Sequence, residues 1–241
     1  MNEILLFSTA STLAVLGFGF LIGLKHATEA DHLAAVSTIV SEHKSLWSST
    51  IIGGVWGLGH TISLFVAGIF VLLLNFQISE QTERILEFCV GIMLTLLGLN
   101  VLRKLFQGGK LYFHEHGTHE HAHPHVHEHE DQPHKHHGLK FSPRALIIGM
   151  IHGLAGSAAL MLLVLPTIES RTIGLLYIII FGIGSIGGMM MMSFLIGLPF
   201  HFTAAKFNRF NHILQSLAGL FSLGWGLFII YEKGITEGLF G

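Results

Sequence analysis

Charged side chains are scarce in this sequence. Asp, Glu, Lys and Arg make up 12% of its 241 residues, about half of the roughly 25% found in typical soluble domains. Hydrophobic residues account for 51%, in runs that repeatedly reach the roughly 20 residues a helix needs to cross a bilayer. The alternation typical of a β-barrel is also missing. This composition predicts an all-α polytopic membrane protein whose helices contact the lipid bilayer.

Further absences narrow the function. Cys89 is the only cysteine, so neither an intrachain disulfide framework nor a cluster of thiolate metal ligands can form. The Walker A pattern GxxxxGK[ST] is missing, so ATP coupling would need a separate subunit. The formal net charge is −2 and the few lysines and arginines form no patch, which argues against a nucleic-acid partner. The N-terminus lacks a positive region before its apolar run, so we interpret it as a retained span.

Six apolar stretches are predicted to be transmembrane helices, because backbone groups in lipid must form their hydrogen bonds internally. They cover residues 16–40, 48–75, 82–105, 143–166, 172–199 and 210–231. A polar segment with 11 histidines separates the third stretch from the fourth, and it cannot bury a core. We therefore divide the chain into a first three-helix repeat (1–106), a disordered His-rich loop (107–141) and a second three-helix repeat (142–241).

The two halves align with each other. The segment from Gly23 to His26 matches the segment from Gly149 to His152, and residues 56–68 match 181–193. A repeat of three helices crosses the membrane an odd number of times, so its second copy must be inverted, as in many transporters. The sequence therefore predicts six transmembrane helices arranged as two inverted three-helix repeats, with a binding site near the membrane midplane where they meet.

Orientation follows from the lysines and arginines at the span ends. Nine of them lie on the side of the His-rich loop and three on the other side. The positive-inside rule then puts the loop in the cytoplasm and both termini outside. We expect a multi-pass protein of the cell inner (plasma) membrane.

The first span contains ionisable residues that a bilayer disfavours. Each Asp or Lys at the centre of a span costs about 2.5–3.5 kcal/mol on insertion scales, so such residues usually face a cavity or an ion. On an ideal helix Asp31 points about 100° away from His32. Their side chains can converge with that of His26 only if the backbone unwinds locally, which Gly23 permits, or if other helices close around them.

Two single histidines in other spans are candidates to complete the site. His60 and His152 are flanked by glycines, which let helices approach closely. The alternative is that each is a neutral core histidine bonded to a backbone carbonyl. Imidazoles with carboxylates and no thiolate suit Ni(II), Co(II), Zn(II) or Fe(II), and suit Cu(I) poorly. The predicted metal-site residues are His26, Glu29, Asp31, His32, His60 and His152.

These motifs resemble a known family. "HATEADH" at 26–32 and "LGHT" at 58–61 are similar to the two signatures of the nickel/cobalt transporter (NiCoT/NicO) superfamily, with Glu29 replacing the first Asp of its motif. "MIHGLAGSAALMLL" from Met150 resembles the six-span relatives described as urease-accessory permeases. The resemblance implies that the residues from His26 to His32 bind Ni²⁺ or Co²⁺ as a transported ion, with no resident cofactor. It also implies cytoplasmic metallochaperones or urease or hydrogenase maturation proteins as partners.

The resulting hypothesis is a permease, not an enzyme, that moves Ni²⁺ or Co²⁺ inward. Export is the alternative within the same class, because the His-rich loop would load an exporter as readily as it would buffer imported metal. A membrane di-iron oxidoreductase is the alternative from another class. Such an enzyme would carry HxxxH and HxxHH clusters at helix ends, whereas the histidines within the spans of this chain are single.

Overall fold

The computed structural model describes residues 2–43, 45–74, 79–107, 142–155, 168, 170–204 and 208–239. Within these ranges the chain forms seven α-helices, a closing π-helical turn and no strand. The helices are α1 (Asn2–His26), α2 (Ala30–Ser41), α3 (Leu46–Leu74), α4 (Glu80–Phe106), α5 (Pro143–Gly153), α6 (Arg171–Ala204) and α7 (Asn208–Tyr231), and the turn is Glu232–Thr236. The all-α prediction is confirmed. The predicted disorder of the His-rich loop falls on residues 108–141, which lie outside the described ranges.

Four of these helices are long and apolar enough to cross a membrane. They are α3, α4, α6 and α7, and α1 with α2 gives a fifth span if this bent pair is counted as one. Many large apolar side chains on the outer faces are exposed, such as Leu96 and Leu217, as expected for helices that contact lipid. The chain is therefore a multi-pass membrane protein. The second part of the predicted fourth span, 156–166, lies outside the described residues, so the count of six stays a prediction.

The first span is broken immediately after His26. Residues 27–29 are not helical, and the axes of α1 and α2 differ by 56°. Glu29 has an extended backbone (φ −66°, ψ 150°) as the residue that precedes α2. The sequence leaves open either local unwinding, which Gly23 permits, or the closing of other helices around the motif. The backbone is non-helical at 27–29, and Gly23 itself stays helical. Gly23 instead allows α1 to pack closely against α6, because a Cβ at this position would overlap the carbonyl oxygen of Phe181.

The main helix pairs touch at glycines, and the residues that meet there show the relative directions of the helices. Gly53 of α3 lies against Ser193 of α6, while Thr61 lies against Gly182, so α3 and α6 run antiparallel. In the same way α4 and α7 run antiparallel, since residue 91 meets residue 226 and residue 98 meets residue 219. By contrast α1 runs parallel to α6, and α5 runs parallel to α3.

The helices pack as two groups. In the first group α3 packs against both α5 and α6, and α6 packs against α1; in the second group α4 packs along α7 and both contact α2. The C-terminal end of α2 is tied to the second group, because Lys104 pairs with Glu42 at 3.1 Å and Gln215 donates to the carbonyl of Ser41 at 3.3 Å. The groups meet through the contacts of α2 with α6 and α3, and through smaller contacts of α6 with α7 and of α4 with α5. The break at 27–29 is therefore a link between the groups.

Candidate metal centre

Four imidazoles meet where the break in the first span faces α3 and α5. His26 ends α1, His32 lies in the first turn of α2, His60 is in the middle of α3 and His152 is in the last turn of α5. Each of these residues is at most 1% exposed. Their ring centroids are 4.3 Å (His26 and His32), 4.4 Å (His32 and His152) and 5.1 Å (His26 and His60) apart. Residues from four helices thus form one buried cluster.

Close helix contacts bring His60 and His152 to this cluster. A Cβ at Gly149 would overlap the carbonyl oxygen of Trp56, and a Cβ at Gly153 would overlap that of His60. Only glycine allows α5 to lie this close to α3. The non-helical residues after His26 complete the arrangement, because they turn His32 back toward the same point.

The distance between His26 and His60 suits a shared metal ion. Their Nε2 atoms are 3.1 Å apart and fully buried. At the usual metal–nitrogen distance of about 2.0–2.1 Å, this separation corresponds to a nitrogen–metal–nitrogen angle of about 95–100°. That angle lies between the octahedral and tetrahedral values. The two imidazoles therefore already have the spacing of ligands to one ion.

Asp31 links two of the histidines. Its Oδ1 accepts hydrogen bonds from Nδ1 and from the backbone N–H of His32, both at 2.9 Å. Its Oδ2 is 2.9 Å from Nε2 of His152. Glu29 is placed similarly beside His26, with Oε1 at 3.0 Å from Nδ1, but this contact is not aligned as a hydrogen bond. All six predicted metal-site residues are therefore within one connected cluster.

Several ring nitrogens in the cluster have no hydrogen-bond partner. Buried atoms without one include Nε2 of His32 and Nδ1 of both His60 and His152. An unpaired buried polar atom costs about 1–3 kcal/mol, and metal coordination would remove this cost. Ligand atoms within 4.8 Å of one another are available from two triads that share His32, namely His26, His32 and His60, and Asp31, His32 and His152. The chemistry of the cluster is that of a borderline divalent cation.

Comparison with known proteins gives a family. Residues 34–227 match the family described as the cytochrome c biogenesis protein transmembrane region. The chain belongs to this family. The urease accessory protein UreH of Bacillus sp. (strain TB-90) is 42% identical over 229 residues, which are 95% of this chain and 95% of UreH. The predicted relationship to urease-accessory proteins is thereby confirmed, while membership of the nickel/cobalt transporter superfamily stays a prediction.

More distant relatives of this member of the family occur in a plant. The chloroplast proteins FOR GROWTH AND FERTILITY 2 and 1 of Arabidopsis thaliana are each 26% identical to it, over 219 and 214 residues. The chain spans 55% and 57% of their lengths. No solved structure matches it. None of the relatives' names describes an enzyme.

Sequence reasoning missed Trp56. This residue is completely buried, and its ring lies 5.5 Å from those of both His32 and His152, measured between centroids, with interplanar angles of 64° and 86° respectively. Its indole Nε1 has no hydrogen-bond partner. The signal was its spacing, because a residue four positions before His60 lies on the same face of a helix. Trp56 thus forms one wall of the histidine cluster.

Proposed function

We propose that this protein is a permease that carries Ni²⁺ or Co²⁺ across the membrane, with uptake as the direction of transport. The observation that carries the proposal is the buried cluster of four imidazoles inside a membrane protein. Histidines placed there without backbone partners are costly unless they serve an ion or a polar pathway. Coordination of the transported metal ion would offset the free-energy cost of burying these imidazoles.

The donor set and the relatives both bear on the metal. Four imidazoles and two carboxylates suit Ni²⁺ and Co²⁺, and Cys89 lies exposed on α4, away from the cluster. The relationship to a urease accessory protein and the resemblance to nickel/cobalt transporters favour nickel. We propose His26, Glu29, Asp31, His32, His60 and His152 as the site. We also propose that urease or hydrogenase maturation proteins, or a cytoplasmic metallochaperone, receive the metal.

The helix directions support an inverted repeat. Under the repeat, α1 corresponds to α5, α3 to α6 and α4 to α7. The members of the last two pairs run antiparallel, and α1 and α5 are parallel to α6 and α3 respectively, so the first pair is antiparallel as well. Gly23 meets Phe181 and Ser185 as Gly149 meets Trp56 and His60. We therefore propose six spans in two inverted halves around the site.

The division of the helices into two groups supports alternating access. His26, His60 and His152 lie on the group of α1, α3, α5 and α6, whereas Asp31 and His32 lie on α2, which packs with α4 and α7. Rotation of one group against the other about residues 27–29 would separate His32 from the other three histidines. The ion would then lose ligands and be released, as alternating access requires.

A cavity on the side of the His-rich loop supports a path from that side toward the helices of the site. It has a volume of about 190 Å³ and lies between α2, α3, α4 and α5. Thr38, Glu42, His43, Asn100 and Ala145 are among its lining residues, near the helix ends that flank the His-rich loop. Burial lowers the pKa of His43 below its usual value, which favours the neutral imidazole that metal binding requires. With the loop in the cytoplasm and the termini outside, this cavity would be the inner vestibule.

The test is metal flux in a purified system. Proteoliposomes containing the protein should take up radiolabelled nickel and cobalt, and His26→Ala should abolish uptake. His212→Ala, which changes an exposed histidine at the start of α7, is the matched control and should leave uptake unchanged. Absence of flux of either metal in correctly inserted protein would contradict the proposal, and an oxygen-dependent reaction at a bound iron pair would favour an oxidoreductase.

The direction is tested in cells. Cells that express the protein should accumulate more radiolabelled nickel than cells that express the His26→Ala variant. Lower accumulation than in the variant would mean export. Deletion of 114–137 distinguishes a required loop from an accessory one, because a tract that only concentrates metal should alter uptake at low metal and leave it measurable.

A further inference from the structure

We propose that the metal is bound through the Nε2 atoms of His26, His32 and His60, and that Asp31 and Glu29 are positioning residues rather than ligands. This inference rests on the proposed function, and it assigns five of the six residues of the site to two roles. Each carboxylate of the motif lies beside the Nδ1 atom of a motif histidine, Glu29 beside His26 and Asp31 beside His32.

Both oxygens of Asp31 are already engaged. Oδ1 accepts from the ring and the backbone of His32, and Oδ2 is within hydrogen-bond distance of His152, all at 2.9 Å. An ionised carboxylate only accepts hydrogen bonds, so Nδ1 of His32 must carry the proton. The lone pair of His32 is therefore on Nε2, the buried atom that has no partner. Carboxylates that fix a metal-binding histidine in this manner are common around protein metal sites.

The nitrogen triad is consistent with this tautomer. His26 and His60 already approach each other through Nε2 at 3.1 Å, and donor atoms of His26, His32 and His60 lie within 4.8 Å of one another. If Asp31 turned to the metal, Nδ1 of His32 and Nε2 of His152 would lose their partner in a buried site. A metal ion on the three Nε2 atoms, with Asp31 left on its two histidines, would give His32 Nε2 a partner. It would leave without one Nδ1 of His26, His60 and His152 and the indole Nε1 of Trp56.

The two carboxylates should differ in importance. The contact of Asp31 is an aligned hydrogen bond and extends to His152, so Asp31 orients an imidazole from each half of the chain. The contact of Glu29 with His26 is at 3.0 Å without hydrogen-bond alignment, and its side chain is more exposed than that of Asp31. Removal of Glu29 should therefore weaken binding less than removal of Asp31.

The experiment counts imidazoles on bound nickel. The full chain is used with its 11 loop histidines changed to Asn in every variant, so that the loop binds no metal. Nickel affinity is measured by equilibrium binding, and X-ray absorption counts the imidazole ligands of the bound ion. The variants are Asp31→Asn, Asp31→Ala, Glu29→Gln and His32→Ala, each checked for monodisperse protein, and His212→Ala is the control.

We expect three imidazoles in the parent, in both Asp31 variants and in Glu29→Gln, and two in His32→Ala. Asp31→Ala should bind nickel about 10- to 100-fold more weakly. Asp31→Asn keeps an oxygen that accepts from Nδ1 of His32, so it should recover most of that loss. If Asp31→Asn instead binds as poorly as His32→Ala, or if the parent spectrum contains a carboxylate ligand that Asp31→Asn removes, the positioning role is wrong. If the parent protein binds no nickel at all, the proposed function is contradicted instead.

Discussion

Two helix ends in this protein are alike in packing and unlike in chemistry. His26 ends α1 and His152 lies in the last turn of α5, each three residues after a glycine that lets its helix touch a neighbour's backbone. After His26 the sequence continues into Glu29, Asp31 and His32, whereas residues 155–158 after His152 are Ala, Gly, Ser and Ala. Both helix ends approach the same cluster, but only the first contributes carboxylates to it.

The same contrast holds on α3 and α6. Trp56 and His60 lie on α3 where Phe181 and Ser185 occupy the corresponding positions of α6, and all four residues are completely buried. Close packing is therefore seen at both sets of positions, whereas the imidazole and the indole are on α3 alone. Under the proposed repeat, the two halves would share their packing, and most of the proposed site residues would lie in the first half.

The largest effect should come from replacing the proposed ligand His60 by the residue at the corresponding position of α6. His60→Ser replaces an imidazole by the residue found at the corresponding position of α6. Because Nε2 of His60 is 3.1 Å from that of His26, we expect nickel uptake and nickel binding to fall below detection while membrane insertion is unchanged. Uptake above a tenth of that of the parent, measured in proteoliposomes, would exclude His60 as a ligand.

A second prediction tests the shared packing. Gly23→Ala and Gly149→Ala would each place a Cβ on a backbone carbonyl oxygen of the facing helix, and overpacking typically costs about 1–3 kcal/mol. Both variants should therefore unfold at a lower temperature in detergent. Gly17→Ala and Gly187→Ala are the controls, since no atom lies within 4 Å of a Cβ at either position. Loss of stability in only one of the two test variants would show that the two glycine contacts are not equivalent.

An intermediate effect is expected at the wall of the cluster. Trp56→Phe introduces the residue of the corresponding α6 position and removes part of the ring that packs against His32 and His152. Aromatic pairs contribute about 0.5–1.5 kcal/mol beyond their buried area, so nickel affinity should weaken about two- to tenfold. Trp47→Phe is the matched control, because Trp47 lies on the same helix and is 69% exposed. Equal nickel affinities in the two variants would show that Trp56 does not contribute to the metal site.

The smallest effect should come from the second half. Oγ of Ser185 is buried without a hydrogen-bond partner, so Ser185→Ala should be neutral or stabilise the protein by up to about 1 kcal/mol and leave nickel uptake within twofold. Ser222→Ala is the comparison, because Oγ of Ser222 donates to the carbonyl of Leu94 at 2.9 Å. Ser222→Ala should therefore unfold at a lower temperature than Ser185→Ala. Loss of uptake in Ser185→Ala would mean that α6 also takes part in metal binding.

Much of the helical architecture was predictable from apolar runs alone. The predicted stretches 48–75, 82–105, 172–199 and 210–231 lie on α3, α4, α6 and α7, with ends that differ by at most five residues. A helix in lipid must satisfy its own backbone, so the length of an apolar run nearly fixes the element. Ionisable residues stand out against such runs for the same energetic reason, which is why His26, Asp31 and His32 were recognised as candidates.

The sequence by itself determined which residues belong to the membrane helices and which of them are too polar to be there without a purpose. Only the tertiary structure shows where the first span breaks, since Gly23 is helical where it packs against α6 and residues 27–29 are not helical. It also decided the partners of Asp31 and the position of Trp56. Several of these contacts, such as that of Asp31 with His152, join residues more than 90 positions apart in the chain. Local periodicity carries no information about such contacts, because they exist only once the helices have packed.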